Sequence, residues 1–282
     1  MNTNRNKFIN MLTFSLILNV FFILGFGAYL YHKRDRIIEK LELLGGGTPT
    51  EASLSHFNKS RLMPQNDSVV VDGADSTIKI LFLGNSITLH PMVEDFLPCK
   101  KVRGMMATMP DSDYVHRVAK MIAGTHHKNV KFSVVNIAGF ERNFKHSAFS
   151  LNSIEGADVK QPDILVVQIG ENVSEEDIKD PLEFEEKYVS LLRLFPHSKR
   201  IITLPFWPSK QKQYAITNVA IRSNSYLVDI SHLGDGTDPQ NFASSQKKHY
   251  KLDGVAAHPG DVGMKHIADC YYAVINAMMT QK

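Results

Sequence analysis

With 282 residues, 43% of them hydrophobic and 22% charged, the chain has room for one good-sized domain plus an appendage, and enough apolar material for a packed core. The formal net charge of +3 is unevenly placed: residues 1–40 hold six basic and two acidic side chains, so everything after residue 40 sums to −1. No basic stripe falls on the folded part, which argues against a nucleic-acid partner. Two cysteines, Cys99 and Cys270, are too few for a disulfide framework and lack metal-ligand spacing.

A short tail, residues 1–7, leads into an uncharged run from Phe8 to Tyr31, 24 residues rich in Phe, Leu, Ile and Val. As a helix this run reaches about 36 Å, enough to cross a hydrocarbon core of about 30 Å. A cleaved signal peptide is the competing reading, but the run is long and ends in Tyr29-Leu30-Tyr31 rather than a small-x-small site. The expectation is an uncleaved single-pass membrane anchor over residues 8–31. Basic residues flank it on both sides, so the positive-inside rule gives a near tie that slightly favours a cytoplasmic catalytic side. An extracytoplasmic catalytic domain is expected from function rather than from charge. Residues 32–75 follow as a stalk, charged at first, then carrying Gly45-Gly46-Gly47 among Thr, Pro, Ser and Asn.

From residue 76 to 282 apolar runs alternate with helical periodicity. Strands are predicted at Ile78–Leu83, Phe132–Val135, Ile164–Ile169, Ile201–Leu204 and Tyr226–Ile230. Val115, Val118 and Ile122 share a helix face, with Asp111 or Ser112 as cap and Gly124 as stop. Asp180-Pro181-Leu182-Glu183 reads as a helix start with Asp180 as N-cap. Met264, Ile267, Tyr271, Val274 and Met278 form the stripe of a final helix, in which Cys270 is expected as a plain buried thiol. Strands apolar throughout and separated by helices argue for a parallel sheet covered on both faces. Ligands of such sheets bind beyond the carboxyl ends of the strands.

The residues just past those ends carry the chemistry. Gly84-Asn85-Ser86-Ile87-Thr88 places a serine in a strand-to-helix turn. The stretch lacks the second glycine of a G-x-S-x-G elbow and is neither a P-loop nor a dinucleotide fingerprint. Asn136-Ile137-Ala138-Gly139 offers a glycine N–H, and Gly170-Glu171-Asn172 offers a side-chain amide. Of the twelve histidines, His258 is the one set in a Gly/Pro loop, Asp253-Gly254-Val255-Ala256-Ala257-His258-Pro259-Gly260-Asp261, before the final helix. Each signal alone is ordinary turn chemistry.

Taken together and in this order, the four stretches resemble the consensus blocks of the SGNH (GDSL-like) hydrolase superfamily, from Ile78 to about Met278. The resemblance implies a three-layer α/β/α, flavodoxin-like fold and ester hydrolysis without a metal or organic cofactor. Carried over by motif position, Ser86 is the nucleophile and His258 its base. The Ser86 N–H, Gly139 and Asn172 then form the oxyanion hole. Asn85 stands where many members carry Asp. The family's usual triad acid, three residues before the histidine, is here Val255. Asp253 serves as the acid if Val255–Ala257 bulge; otherwise a backbone carbonyl orients the ring and the site is a dyad. Asp261 is read as a cap of the last helix. His90 is a turn residue or lines the pocket, and Trp207 is a sugar platform or closes the core.

The expected reaction is acyl transfer from a small ester, an O-acetylated glycan or another envelope substrate. Two alternatives stay open. One is an O-acetyltransferase using the same Ser-His site; the other is a non-catalytic envelope-binding module.

Overall fold

The computed structural model describes residues 64–281, apart from 92–96, 98, 100, 147, 248 and 251–252, and only the backbone of Asp253. The expected anchor at 8–31 and most of the expected stalk lie outside the described residues. Among the described residues no helix is long and apolar enough to cross a membrane.

Six strands form one sheet: β1 (Gln65–Val69), β2 (Thr77–Gly84), β3 (Asn129–Asn136), β4 (Ile164–Gln168), β5 (Lys199–Thr203) and β6 (Tyr226–Val228). The helices are α1 (Tyr114–His126), α2 (Ala138–Asn143), α3 (Leu182–Arg193), α4 (Lys210–Ser223), α5 (Asp253–Ala256) and α6 (Asp261–Thr280). The spatial order is β1-β3-β2-β4-β5-β6, parallel throughout except for β1, which runs antiparallel to β3. Without β1 this is the flavodoxin-like order, whose switch point lies between β2 and β4. Residues 65–69 were assigned to the stalk by sequence, and here the structure differs. They pair from Gln65↔Val134 to Val69↔Val130 and belong to the sheet.

The two faces of β2 show the layering. Ile78, Ile80 and Phe82 point into a core shared with α1 and α6, including Val115, Val118, Met264 and Tyr271. Leu81 and Leu83 point the other way, against Phe184 and Tyr188 of α3 and Ile216 and Val219 of α4. Alternate side chains of one strand thus enter opposite cores, as a sheet covered on both faces requires. Phe82 is fully buried, and truncating such a side chain to alanine costs about 3–5 kcal/mol.

Helix ends depart from the sequence reading by a residue or two. Asp113, not Asp111 or Ser112, caps α1, accepting the His116 N–H at 2.9 Å. The helix runs through Gly124 and stops at His127, which takes the left-handed conformation (φ 49°). At α3 the N-cap is Pro181, already in helical geometry, and Asp180 reaches the Leu182 N–H at only 3.4 Å. In α6 Ile275 is buried where Val274 was expected, and Val274 packs at the core margin.

Candidate active site

The serine turn follows from local chemistry. A Cβ at Gly84 would lie 1.9 Å from Thr88 Oγ1, so only glycine lets the chain fold back at this point. The Asn85 carbonyl then accepts the N–H of Thr88 (3.1 Å) and Leu89 (2.9 Å), while its Oδ1 accepts the Ile87 N–H (3.1 Å). Ser86 sits half-buried at the apex of this turn, and no helix follows it directly. The single turn is fixed instead by the Thr88 hydroxyl, which is 2.8 Å from the Tyr114 hydroxyl and donates to Gln168 Oε1 at 2.9 Å.

Strand register aligns the three elements around Ser86. Gly84 pairs with Asn136 on one side and with Gln168 on the other, so β2, β3 and β4 end level. Adjacent strands lie about 4.8 Å apart, which sets the turns bearing Gly139, Ser86 and Asn172 side by side at the carboxyl ends of β3, β2 and β4. Gly139 lies in the first turn of α2, where backbone N–H groups have no acceptor within the helix. Asn136 fixes that turn: its Oδ1 accepts the Ala138 N–H (2.9 Å) and its Nδ2 donates to the Leu89 carbonyl (2.7 Å).

His258 arrives from the loop before α6. Its Nε2 is 3.0 Å from Ser86 Oγ, and its Nδ1 is 2.9 Å from the Gly254 carbonyl. A carbonyl can only accept, so Nδ1 carries the proton and Nε2 presents a lone pair to the serine hydroxyl. Burial pushes the His258 imidazolium down, to about 4, against the opposing pull of the Gly254 carbonyl. The ring is neutral near pH 7, as a base must be. Trp207 packs edge-on against it, with centroids 5.0 Å apart and planes at 82°. Trp207 Nε1 donates to the Ala257 carbonyl at 3.2 Å.

At Nδ1 the structure shows the second of the two expected arrangements, a backbone carbonyl orienting the ring. The Gly254 carbonyl occupies the position that Asp253 was expected to take, and the Asp253 side chain lies outside the described residues. Val255, at the family's acid position, is buried in an apolar cluster with Leu97, Met105, Met106 and Ala243. Asp261 is the first residue of α6 rather than its cap; its carboxylate accepts the Thr108 N–H (2.8 Å) and hydroxyl (2.6 Å). His90 is buried, bridged through its backbone to Arg103, with Nδ1 2.7 Å from the Pro91 carbonyl. Trp207 packs at the margin of the core, edge-on to Phe206, as well as on the histidine. Cys99 and Cys270 are both free and half-buried.

Sequence reasoning missed two carboxylates beneath the serine turn. Glu141 Oε1 accepts the N–H of Gly170 (2.7 Å) and of Asn172 (3.2 Å), and its Oε2 accepts Asn172 Nδ2 (2.8 Å). Glu171 accepts the Phe206 N–H (2.9 Å) and Gln168 Nε2 (2.5 Å). Asn85 Nδ2 stands between them, 2.6 Å from Glu171 and 3.3 Å from Glu141. Burial, and after it the neighbouring Glu171 charge, raises the Glu141 carboxyl, to about 7. Burial likewise raises Glu171. An aspartate at position 85 would add a third carboxylate to this pair; the asparagine supplies a donor instead. On the far side, Arg142 donates from a terminal nitrogen to Asn172 Oδ1 at 2.8 Å.

No family model matches the sequence, and no curated protein matches it. Among solved structures, the chain is similar to a putative GDSL-like lipase from Bacteroides ovatus, with 11% identity, a TM-score of 0.46, and coverage of 72% of this chain and 100% of that one. It is similar to a Clostridium thermocellum family 3 carbohydrate esterase, with 15% identity, a TM-score of 0.45, and coverage of 72% and 99%. It also resembles a family two carbohydrate esterase from Cellvibrio japonicus, with 18% identity, a TM-score of 0.47, and coverage of 75% of this chain and 63% of that longer one.

Proposed function

We propose that this protein is a serine esterase working with a Ser86–His258 dyad. The observation that carries the reading is the 3.0 Å contact from Ser86 Oγ to His258 Nε2, with the tautomer fixed by the Gly254 carbonyl on Nδ1. His258 takes the hydroxyl proton as Ser86 attacks the ester carbonyl. The negative charge developing on the carbonyl oxygen is received by the N–H groups of Ser86 and Gly139 and the amide of Asn172. The tetrahedral intermediate collapses, His258 returns the proton to the departing alcohol, and an acyl-Ser86 remains. Water, deprotonated by His258, releases the acid and regenerates the serine. In this reading Gly254 supplies the orientation that a triad acid gives, but only a partial charge to the imidazolium.

The acyl group is taken to be small, acetyl first, and the alcohol a carbohydrate of the cell envelope. The SGNH resemblance of the motifs supports this part. The uncharged run at 8–31 supports a single-pass anchor that keeps the domain at the membrane; the extracytoplasmic side is inferred from the envelope substrate. Hydrolysis of p-nitrophenyl acetate by the full-length protein, wild type against Ser86→Ala, tests the chemistry. Turnover lost in the variant supports the esterase; equal turnover in both refutes it.

A further inference from the structure

We propose that Glu141 and Arg142 are positioning residues that lock the Asn172 side-chain amide in the one orientation that serves an oxyanion. The proposal rests on the esterase reading, because it concerns the donor that reading assigns to Asn172.

An asparagine amide has nearly the same shape either way round, so sterics alone leave its orientation open. Chemistry does not. Turned one way, Asn172 gives the oxyanion an N–H; turned the other, it gives an oxygen that repels. At pH 8, above the raised value of Glu141, its carboxylate only accepts and a guanidinium only donates. Glu141 Oε2 takes Asn172 Nδ2 at 2.8 Å, and Arg142 donates to Asn172 Oδ1 at 2.8 Å. A flipped amide would set oxygen against carboxylate and NH2 against guanidinium, two wrong contacts at once. Nδ2 carries two hydrogens; one goes to Glu141 and the other remains for the substrate.

The clamp is built into the same turn as the rest of the hole. Glu141 and Arg142 follow Gly139 within the single short helix α2. Glu141 also accepts the backbone N–H of Gly170 and Asn172. It thereby fixes the β4 turn, where Gly170 holds φ +131°, a conformation side chains rarely adopt. Asn85 Nδ2 donates to Glu141 from the serine turn, so one carboxylate ties the turns after β2, β3 and β4 together. A fully buried Glu141 with a half-buried Glu171 near it opposes folding when both are charged, so the pair costs stability while its hydrogen bonds orient the site.

Glu141→Gln tests this. The glutamine is isosteric, and its oxygen can still accept the two backbone N–H groups. Its NH2 then faces Asn172 and favours the flipped amide. Expected is a loss in kcat of about 10²–10³-fold, the range for one lost oxyanion donor, with KM little changed. Tm at pH 8 should be no lower than that of the wild type, since one of two like charges is gone. In an Asn172→Ala background the same change should cost almost nothing further, because both substitutions remove one donor. Arg142→Lys, which keeps a donor, should retain more kcat than Arg142→Met. Near-wild-type kcat in Glu141→Gln, or additive losses in the double variant, overturns the clamp and leaves the esterase standing. Turnover that survives Ser86→Ala overturns the esterase and the clamp with it.

Discussion

The two halves of the site solve their electrostatics in opposite ways. Around His258 the chain offers Val255, Trp207 and a bare backbone carbonyl, so the base is held by an uncharged partner. Beneath Ser86 and Asn172, two carboxylates and a guanidinium are packed around the donors. Among the described residues, charge stands where it orients amides, while a backbone carbonyl stands at the Nδ1 position where a triad acid orients a base. The comparison teaches that orientation and charge are separable services. Gly254 supplies the first without the second, and Glu141 supplies orientation at a cost in burial.

The hardest test of this division removes the reacting groups. Ser86→Ala or His258→Ala should lower kcat by about four orders of magnitude or more in an ester hydrolysis assay. Next comes Asn85→Asp, which sets a third carboxylate against Glu141 and Glu171. Urea unfolding at neutral pH should show a loss of about 3–5 kcal/mol, the scale for an uncompensated buried charge. Asn172→Ala should cost about 2.7–4 kcal/mol of transition-state stabilisation, read in kcat with little change in KM. The smallest effect should come from Asp253→Asn. With Nδ1 already on the Gly254 carbonyl, kcat should stay within about twofold, whereas a triad acid lost in this way costs about 10⁴-fold.

The acid limb of kcat/KM sharpens the same contrast. A base works only when unprotonated, so the rate falls as pH drops through its pKa. Burial depresses that value in His258. The half-maximal point should therefore lie well below 6.5, the ordinary histidine value. A limb near 6.5 or above would mean that a carboxylate does reach the ring.

Sequence reasoning reached furthest where one residue type answers one local demand. The apolar runs at β2 and β4 mark buried parallel strands because both of their faces are covered. The strand ends in turn pointed to Ser86, Gly139 and Asn172, whereas the strand order and register that set them side by side came only from the structure. β1 was illegible because Gln65-Asn66-Asp67-Ser68-Val69 is mostly exposed and held by backbone pairing, which leaves no hydrophobic period. Helix α4 escaped notice for a related reason. Its buried face mixes Ile216 and Val219 with Ala215, Ala220, Ser223 and Lys212, too few large apolar residues to stand out. Glu141 and Glu171 went unremarked because their partners, Gln168 apart, lie 29 to 86 residues away in the chain. The available signal was their proximity to the two donors: Glu171 precedes Asn172, and Glu141 lies two residues after Gly139.

Trp207 is the single tryptophan of the chain, and its ring lies 5.0 Å from that of His258. The molecule therefore carries its own optical reporter of the base. An imidazolium quenches a neighbouring indole more strongly than a neutral imidazole does, so emission followed against pH reads the protonation of His258 without any substrate. The same emission should shift when an acyl group settles on Ser86 and disturbs the histidine beside it, so that a stopped-flow trace can separate acylation from deacylation with no chromogenic leaving group.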